Sequence, residues 1–285
     1  APMSSSAAPA GSAPTSSASA ARRPSPWGAR LRAALPAWIA VVGTFVLWEA
    51  ACWGFGIREF VLPAPSAIWT ATISVWPTVL HHTLATLTTV LLGFAASVAV
   101  SLPLAMLIAA SPVISAAVYP LLVVTQSIPK VALAPILLVA LGANELPRVI
   151  VTFLVAFFPL VVATVAGLLA TPPELVELGR ACRAGRVQEL LRIRLPFAVP
   201  FVFGGLKVAA ALSVVGAVVA EFVGADAGLG YLIQTSMAFF RSPLAFGAVV
   251  ILALLGILLF QAVSLVERVF FPWSSGAQSG APPAA

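Results

Sequence analysis

Apolar residues are gathered into long runs along this chain, and polar residues fall between the runs. A helix needs about 20 consecutive apolar residues to cross the hydrocarbon core of a bilayer. Because several runs reach that length, the pattern predicts an all-α membrane protein rather than a soluble domain. The predicted transmembrane helices are six, near residues 35–54, 83–109, 114–141, 148–170, 200–223 and 244–268.

The two ends of the chain differ in composition from the apolar blocks. Residues 1–30 are mostly Ala, Ser, Pro and Gly with a few Arg. Such a segment buries too little apolar surface to offset the entropy lost on ordering. We therefore expect a disordered tail over 1–30, one six-helix domain over 31–273, and a flexible tail over 274–285.

The first apolar run resembles a secretory signal peptide in one respect, because basic residues precede it. The run at 35–54 nevertheless has the spanning length of about 20 residues rather than a short apolar core. It also ends without a clear site of small residues for cleavage. We expect the run to be retained as a membrane anchor.

Composition agrees with a membrane location, since hydrophobic residues make up 61% and charged residues only 8% of the chain. Basic residues are concentrated on the cytoplasmic side of membrane proteins. With a cytoplasmic N-terminus, ten arginines fall inside and three outside. Both termini and the Arg-rich insert 173–200 are then cytoplasmic. The inner set is Arg22, Arg23, Arg30, Arg32, Arg180, Arg183, Arg186, Arg192, Arg194 and Arg268; the outer set is Arg58, Arg148 and Arg241.

The positive net charge of +6 does not require nucleic acid as a partner. An anionic inner leaflet attracts basic residues near its surface with about 1 kcal/mol each. Cys52 and Cys182 fall on opposite sides of the membrane in this topology, which excludes an intrachain disulfide. His81 and His82 are the only candidate metal ligands, and beside Trp76 they are better interpreted as interfacial anchors. We expect no metal site.

The insert 173–200 has an amphipathic pattern. Pro173 permits a helix start, and Glu174 and Glu177 favour the first turn through the helix dipole. A second amphipathic segment carries Val187, Leu190, Leu191 and Ile193 on one side, with Arg186, Arg192 and Arg194 turned towards water or lipid headgroups. Pro196 is expected to end that segment, because proline disfavours a helical conformation at the preceding residue. The insert is thus predicted to be two short helices joined by a turn.

This insert resembles the cytoplasmic coupling loop of binding-protein-dependent ABC importer permeases. The family pattern is E-A-A, three residues, G, nine residues, I, one residue, L-P. Arg183 stands where the family has glycine, which permits turn conformations that a side chain disfavours. Either Gly185 makes the turn in a shifted register, or the loop pairs with a partner adapted to Arg183. The resemblance assigns ATPase coupling to Glu177, Leu178, Gly179, Arg183, Gly185, Arg186, Ile193, Leu195 and Pro196.

Shorter motifs resemble the nitrate, sulfonate and taurine branch of these permeases. They are LPAPSAIW at 62–69, IPKVALAP at 128–135, FFP at 157–159, AE at 220–221 and GLG at 228–230. The resemblance implies a type I importer fold and a bacterial cytoplasmic membrane location. It further implies a second permease copy in a homodimer, a separate dimeric ABC ATPase and an extracytoplasmic solute-binding protein.

The chain itself has no G-x-x-x-x-G-K-[ST] phosphate loop, and neither of its lysines, Lys130 and Lys207, follows such glycines. ATP and Mg²⁺ are therefore expected on the ATPase, with no cofactor in this chain. The resemblance implies a small anion such as a sulfonate, taurine or nitrate as substrate, or a pyrimidine-type vitamin precursor. The segments 126–135 and 215–230 are most similar to permeases for pyrimidine precursors.

Ionisable residues inside the predicted spans mark a candidate transport path, because such groups are costly in a bilayer. Glu49, Lys130 and Glu221 qualify, and Gln126 lies within about a turn of Lys130. Lys130 is either a substrate contact or the ion-pair partner of Glu221 or Glu49, and we expect the ion pair. The candidate path residues are Gln126, Lys130 and Glu221.

A secondary transporter or channel without an ATPase partner is the alternative function. It should carry broken-helix repeats or a repeated selectivity sequence, and the sequence contains neither. An enzyme is disfavoured, because no cluster of His, Cys and acidic residues gathers at one predicted face. The sequence therefore predicts a transport subunit.

Overall fold

The computed structural model describes the backbone of residues 26–277, together with the side chains of residue 36 and residues 39–274. Internal contacts divide the chain into two units, one ending at Trp48 and the other beginning at Glu49. Residues 1–25 of the predicted N-terminal tail and 278–285 of the predicted C-terminal tail lie outside the described part. The first helix begins at Pro26, inside the segment that the sequence assigns to the tail.

Helices account for nearly all of the described chain. They are α1 (Pro26–Gly54), α2 (Pro65–Ser74), α3 (Trp76–Ala110), α4 (Pro112–Thr125), a 3₁₀ turn (Lys130–Leu133), α5 (Ala134–Leu141), α6 (Glu145–Leu169), α7 (Pro173–Ala181), α8 (Arg186–Glu189), a π-helical segment (Leu190–Arg194), α9 (Leu195–Gly224), α10 (Leu229–Ala238), α11 (Ser242–Phe270) and α12 (Pro272–Ala277).

The all-α class is confirmed, since residues 26–277 contain helices and no strands. Within the described residues, four helical stretches are long and apolar enough to cross a membrane, and the bent pair α4 and α5 makes a fifth. The predicted span 35–54 belongs to α1, whose part Ile39–Gly54 is a shorter apolar helix. The four long stretches are Trp76–Ala110, Glu145–Leu169, Arg186–Gly224 and Ser242–Phe270.

Helix α6 is central to the second unit, because it packs against both α3 and α9. Small residues let the three backbones approach closely, as is common between membrane helices. Gly93 of α3 and Gly216 of α9 both lie against Thr152 of α6, where a Cβ atom would collide. Gly205 of α9 likewise abuts Ala163, whereas nothing lies within 4 Å of a Cβ built at Gly204. Of the glycines in the fifth predicted span, Gly205 and Gly216 therefore serve helix packing.

The predicted continuous span 114–141 is wrong in one respect, because the helix breaks in its middle. Helix α4 ends at Thr125 and the helical path resumes at Lys130 in a direction bent by 77°. Pro129 lacks the N–H needed to continue an α-helix and restricts the residue before it. Residues 126–129 are therefore a non-helical break between two apolar helices.

The prediction that Pro196 ends the second helix of the insert is also wrong. Leu195 has helical φ and ψ of −63° and −48°, and its N–H donates to the carbonyl of Leu190, five residues back. This wider π-type turn changes the hydrogen-bond register just before the proline. The missing N–H of Pro196 then falls in the first turn of α9, where proline is tolerated. The result is one helical stretch, Arg186–Gly224, that joins the insert to the transmembrane bundle.

A buried ion pair joins α9 to α11. The Nζ atom of Lys207 lies 2.6 Å from Oε2 of Glu267, and the two side chains are 15% and 2% exposed. The hydroxyl of Ser274 donates to the other carboxylate oxygen at 3.0 Å. This pair was not predicted, although Lys207 and Glu267 fall in two predicted spans and have opposite charges.

We expect Glu267→Leu to destabilise the permease by about 3 kcal/mol, because removing one partner leaves the Lys207 ammonium buried without its counter-ion. The thermal unfolding midpoint of the purified protein in detergent measures the effect. The matched control is Lys207→Met combined with Glu267→Leu, which should recover most of the loss since no charge remains uncompensated. A single variant as stable as the wild type would show that the pair contributes nothing.

Candidate coupling insert and transport path

The insert 173–200 is built from α7 and α8, which pack against each other across a short turn. Gly179 of α7 lies directly against the Cδ1 atom of Ile193, so a Cβ at this position would collide with it. Val176 is buried on the same helix, whereas Glu177 and Leu178 are exposed. Two residues of the predicted coupling set, Gly179 and Ile193, thus form the contact that holds the insert together.

Arg183 makes the turn of the insert itself. Its φ of 59° lies in the left-handed region that glycine adopts easily. The N–H of Ala184 donates to the carbonyl of Gly179 at 3.0 Å, which closes the end of α7. Gly185 is extended, with φ of −72° and ψ of 163°, and is the N-cap of α8. The register is therefore not shifted to Gly185, and Arg183 occupies the conformation that suits the family's glycine.

A buried carboxylate clamps the insert to the start of the long helix. Oε1 of Glu189 accepts hydrogen bonds from Nε and Nη2 of Arg194 at 2.9 and 2.6 Å, and Oε2 accepts one from Nε of Arg180 at 3.2 Å. Arg194 is therefore turned inward rather than towards headgroups as expected. Glu189 was not predicted, because α-helical spacing pairs residues three or four apart, whereas the π turn places Arg194 over a partner five residues back.

The outer surface of the insert combines apolar and charged side chains. Leu178 is 62% exposed, Val187 68% and Leu191 48%. Glu177 and Arg186 are exposed and have no hydrogen-bond or ion-pair partner within residues 39–274. Leu195 and Pro196 begin α9, and Pro196 lines an apolar cavity of about 780 Å³ with Phe197 and Phe201. The insert thus exposes several apolar side chains.

The ammonium of Lys130 pairs with backbone carbonyls at the break in the helix rather than with an acidic residue. Its ammonium donates hydrogen bonds to the carbonyls of Thr125 and Gln126, both at 3.0 Å, and of Ile128 at 3.4 Å. The ammonium also lies 4.7 Å from the ring centroid of Phe158. The expected ion pair with Glu221 or Glu49 is wrong: within the described side chains Lys130 forms no salt bridge. A cation at the C-terminal end of α4 is favoured because the freed carbonyls there carry partial negative charge.

The break beside Lys130 is open to the surroundings of the chain. Residues 126–129 are all exposed, and Lys130 is half-buried. The side-chain amide of Gln126 has no hydrogen-bond partner within residues 39–274. Of the three predicted path residues, Gln126 and Lys130 therefore lie together at one exposed break in the helical path.

Glu221 lies elsewhere, in a fully buried network at the start of α10. Its Oε2 accepts from the N–H of Gly230 at 2.7 Å, and its Oε1 accepts from the hydroxyl of Thr86 at 2.8 Å. The same hydroxyl accepts from the N–H of Leu229 at 2.7 Å, and Nδ1 of His82 accepts from the N–H of Gly228 at 3.1 Å. Three consecutive N–H groups at the N-terminus of α10 are thus capped by side chains.

His82 is buried in this network, so its expected role as an interfacial anchor is wrong, whereas His81 is exposed. Within the described residues no group of three or more His, Cys, Asp or Glu is placed to hold a metal ion. Arg148 adds a hydrogen bond from Nη1 to the carbonyl of Ala227 at 3.2 Å. Glu49, the remaining candidate, accepts from the N–H and hydroxyl of Ser66 at 3.1 and 2.6 Å. Glu49 and Glu221 therefore hold chain segments in place.

Comparison with known proteins identifies the class. Residues 101–274 match the family model described as "Binding-protein-dependent transport system inner membrane component". This range includes the break, the insert and the long helix Arg186–Gly224.

Similar proteins cover most of the chain. It is 37% identical over 229 residues to the formylaminopyrimidine transport permease protein ThiX of Halalkalibacterium halodurans, covering 80% of this chain and 91% of that protein. It is 35% identical over 236 residues to the riboflavin transport system permease protein RibX of Chloroflexus aurantiacus, covering 81% and 87%. The nitrate import permease protein NrtB of Synechocystis sp. is 27% identical over 248 residues, covering 82% and 88%. The chain therefore belongs to the family of inner membrane permease components of binding-protein-dependent ABC importers.

Proposed function

We propose that this permease forms half of a homodimeric import channel and is driven through its insert by a separate dimeric ABC ATPase. The observation that carries the proposal is the uninterrupted helical stretch Arg186–Gly224. It begins in the insert and packs along α6, which holds Phe158 beside the Lys130 ammonium. A displacement of the insert would therefore be transmitted to the break as a rigid-body motion, as in hinge and shear transitions. The secondary transporter or channel of the sequence analysis has no comparable support.

The insert is the ATPase-docking element in this proposal. Leu178, Val187 and Leu191 give it an exposed apolar face, and Glu177 and Arg186 add charges without internal partners. Burial of the three apolar side chains is the main favourable term in docking. Gly179 with Ile193 and Arg183 with Gly185 shape the insert, and Leu195 and Pro196 join it to α9. ATP and Mg²⁺ bind the ATPase, whose closure displaces the insert.

The proposed orientation places the insert and both termini in the cytoplasm. It is supported by the excess of ten arginines over three on that side. The opposite end of the second unit, where α9 and α10 meet, then faces outward. This end is the proposed contact for the extracytoplasmic solute-binding protein.

The second permease copy is supported by the exposed break at residues 126–129. Irregular backbone at membrane depth is tolerated only where protein buries it or where it lines a water-filled cavity. In the isolated chain this break is exposed. A partner copy facing it would shield the break from lipid and enclose a path between the two copies, with Gln126 and Lys130 on its wall.

A small neutral nitrogen heterocycle, of the pyrimidine-precursor kind, is the proposed substrate class. Lys130 has three ammonium protons and three carbonyl partners, so little of its hydrogen-bonding capacity remains for a substrate anion. The Gln126 amide offers both a donor and an acceptor, which complement the edge of an aminopyrimidine. The names of the relatives that transport formylaminopyrimidine and riboflavin agree with this class. Sulfonate, taurine and nitrate fit this wall less well.

We expect Leu178→Asp and Val187→Asp to weaken association with the cognate ATPase about tenfold or more. Each variant places a charge where the docked ATPase would bury an apolar side chain. Binding of the purified ATPase to permease in nanodiscs, and ATP turnover stimulated by the loaded binding protein, measure the effect. Phe239→Asp is the matched control, since Phe239 is 74% exposed and lies outside the insert. It should leave ATPase binding, measured without the binding protein, unchanged.

Normal ATPase binding and turnover in both insert variants would contradict the docking assignment. Equal weakening by Phe239→Asp would instead indicate a general loss of folding. The thermal unfolding midpoint of each variant alone separates these outcomes.

We expect Gln126→Leu to lower the uptake rate of an aminopyrimidine about tenfold, because a buried hydrogen bond to substrate is removed. Uptake into proteoliposomes containing the permease, ATPase and binding protein measures it, with nitrate and taurine as competitors. Ser127→Ala is the control at the neighbouring exposed position. If Gln126→Leu takes up substrate at the wild-type rate, Gln126 does not line the transport path. If nitrate or taurine competes with the aminopyrimidine, the proposed substrate class is wrong.

A further inference from the structure

A cavity of about 400 Å³ lies where the insert meets the ends of the membrane helices. Its lining includes Ala109 at the end of α3, Ser115 in the first turns of α4, and Leu169 at the end of α6. The insert contributes Arg180, Arg186 and Arg194, together with Glu189. The volume is typical of a small-molecule binding site.

The charge of this cavity is positive, since three guanidinium groups face one carboxylate. Arg180 uses only its Nε atom on Glu189, so its two terminal nitrogens remain available. Arg186 has no hydrogen-bond or ion-pair partner within residues 39–274. Guanidinium groups with free donors are suited to bidentate contacts with phosphate oxygens.

Helix α4 adds a second feature that favours an anion. Ser115 is 8% exposed and lines the cavity, and within the described residues its hydroxyl has no hydrogen-bond partner. A hydroxyl that lines a cavity without an internal partner offers one donor and two acceptor positions to a polar ligand. Pro112, the first residue of α4, also lines the cavity, so the positive end of the helix dipole faces it.

The remaining wall is apolar and belongs to the membrane helices. Ala109, Ala110, Ala116 and Leu169 line it, at the ends of α3 and α6 and at the beginning of α4. The cavity therefore lies at the junction of the insert with the ends of the membrane helices. Basic pockets between membrane helices on the cytoplasmic side bind anionic lipid headgroups.

We propose that this cavity is a binding site for one anionic phospholipid. Its phosphodiester contacts Arg180, Arg186 and the Ser115 hydroxyl, and its glycerol and upper acyl chains lie against the apolar wall. The bound lipid would contact the Glu189 clamp at the π-helical segment, where the insert joins α9. The lipid site does not depend on the ATPase-docking proposal. The residues that line the cavity and the residues proposed to contact the ATPase have only Arg186 in common.

Native mass spectrometry of the purified permease in detergent, titrated with phosphatidylglycerol, tests the proposal. Phosphatidylglycerol should be retained over phosphatidylcholine, and Arg186→Gln should weaken its binding about fivefold, the effect of one basic residue near a headgroup. Arg192→Gln is the matched control, because Arg192 lies in the same insert but outside the cavity. It should leave binding unchanged. Ala116→Phe should also weaken binding, since it fills the cavity without changing any charge.

Inorganic phosphate is the second titrant and separates a lipid from a free anion. The lipid proposal would be wrong if millimolar-range phosphate displaced phosphatidylglycerol and Ala116→Phe had no effect on binding. The cavity would then be a site for a small inorganic anion. Equal retention of both lipids, or equal effects of Arg186→Gln and Arg192→Gln, would show no specific site. If Arg186→Gln weakens only ATPase association, the guanidinium recognises an acidic surface of that partner instead.

Discussion

The central constraint on this fold is that each backbone N–H and C=O at membrane depth must find a partner within the protein. Long helices satisfy their own backbone, so the difficulty is confined to the places where helices end. At two of these places, a side chain of opposite charge pairs with the free backbone groups of the helix end. The ammonium of Lys130 lies at the carbonyl end of α4, and the carboxylate of Glu221 lies at the N–H end of α10. The polarity of the helix dipole explains both placements.

This constraint changes the meaning of ionisable residues in the spans. An intramembrane charge is a default candidate for function, yet Lys130, Glu221 and Lys207 are each engaged by the fold itself. The side-chain polar groups at the break that lack an internal partner within the described residues are both neutral, the amide of Gln126 and the hydroxyl of Ser127. The proposed path is therefore expected to suit a neutral substrate, because no further desolvated charge needs a counter-ion.

Much of the architecture follows from the sequence, because apolar runs of spanning length report helices directly. The all-α class, the family and the location of the insert between the fourth and fifth predicted spans were accessible in this way. The break at 126–129 has a local signal in Pro129, although the apolar run alone predicts one continuous span. The π turn before Pro196 and the Glu189 clamp were not accessible, because both depend on a change of hydrogen-bond register that has no periodic signature. The side-chain caps of α10 were not accessible either, because their partners are distant in sequence. His82 and Thr86 cap residues that are more than a hundred positions away.

The π-helical segment links the insert to the long helix α9. Without it, Pro196 would remove a hydrogen bond from an ordinary α-helix and kink or end it. With it, Arg194 is rotated onto Glu189, and the helix continues from the insert to Gly224. The same local change therefore fixes the insert to α9 and lets the helical path continue past Pro196. Since α9 packs closely on α6 through Gly205 and Gly216, we propose that a displacement of the insert is passed on to α6. In this proposal it appears as relative motion of the packed helices beside the break.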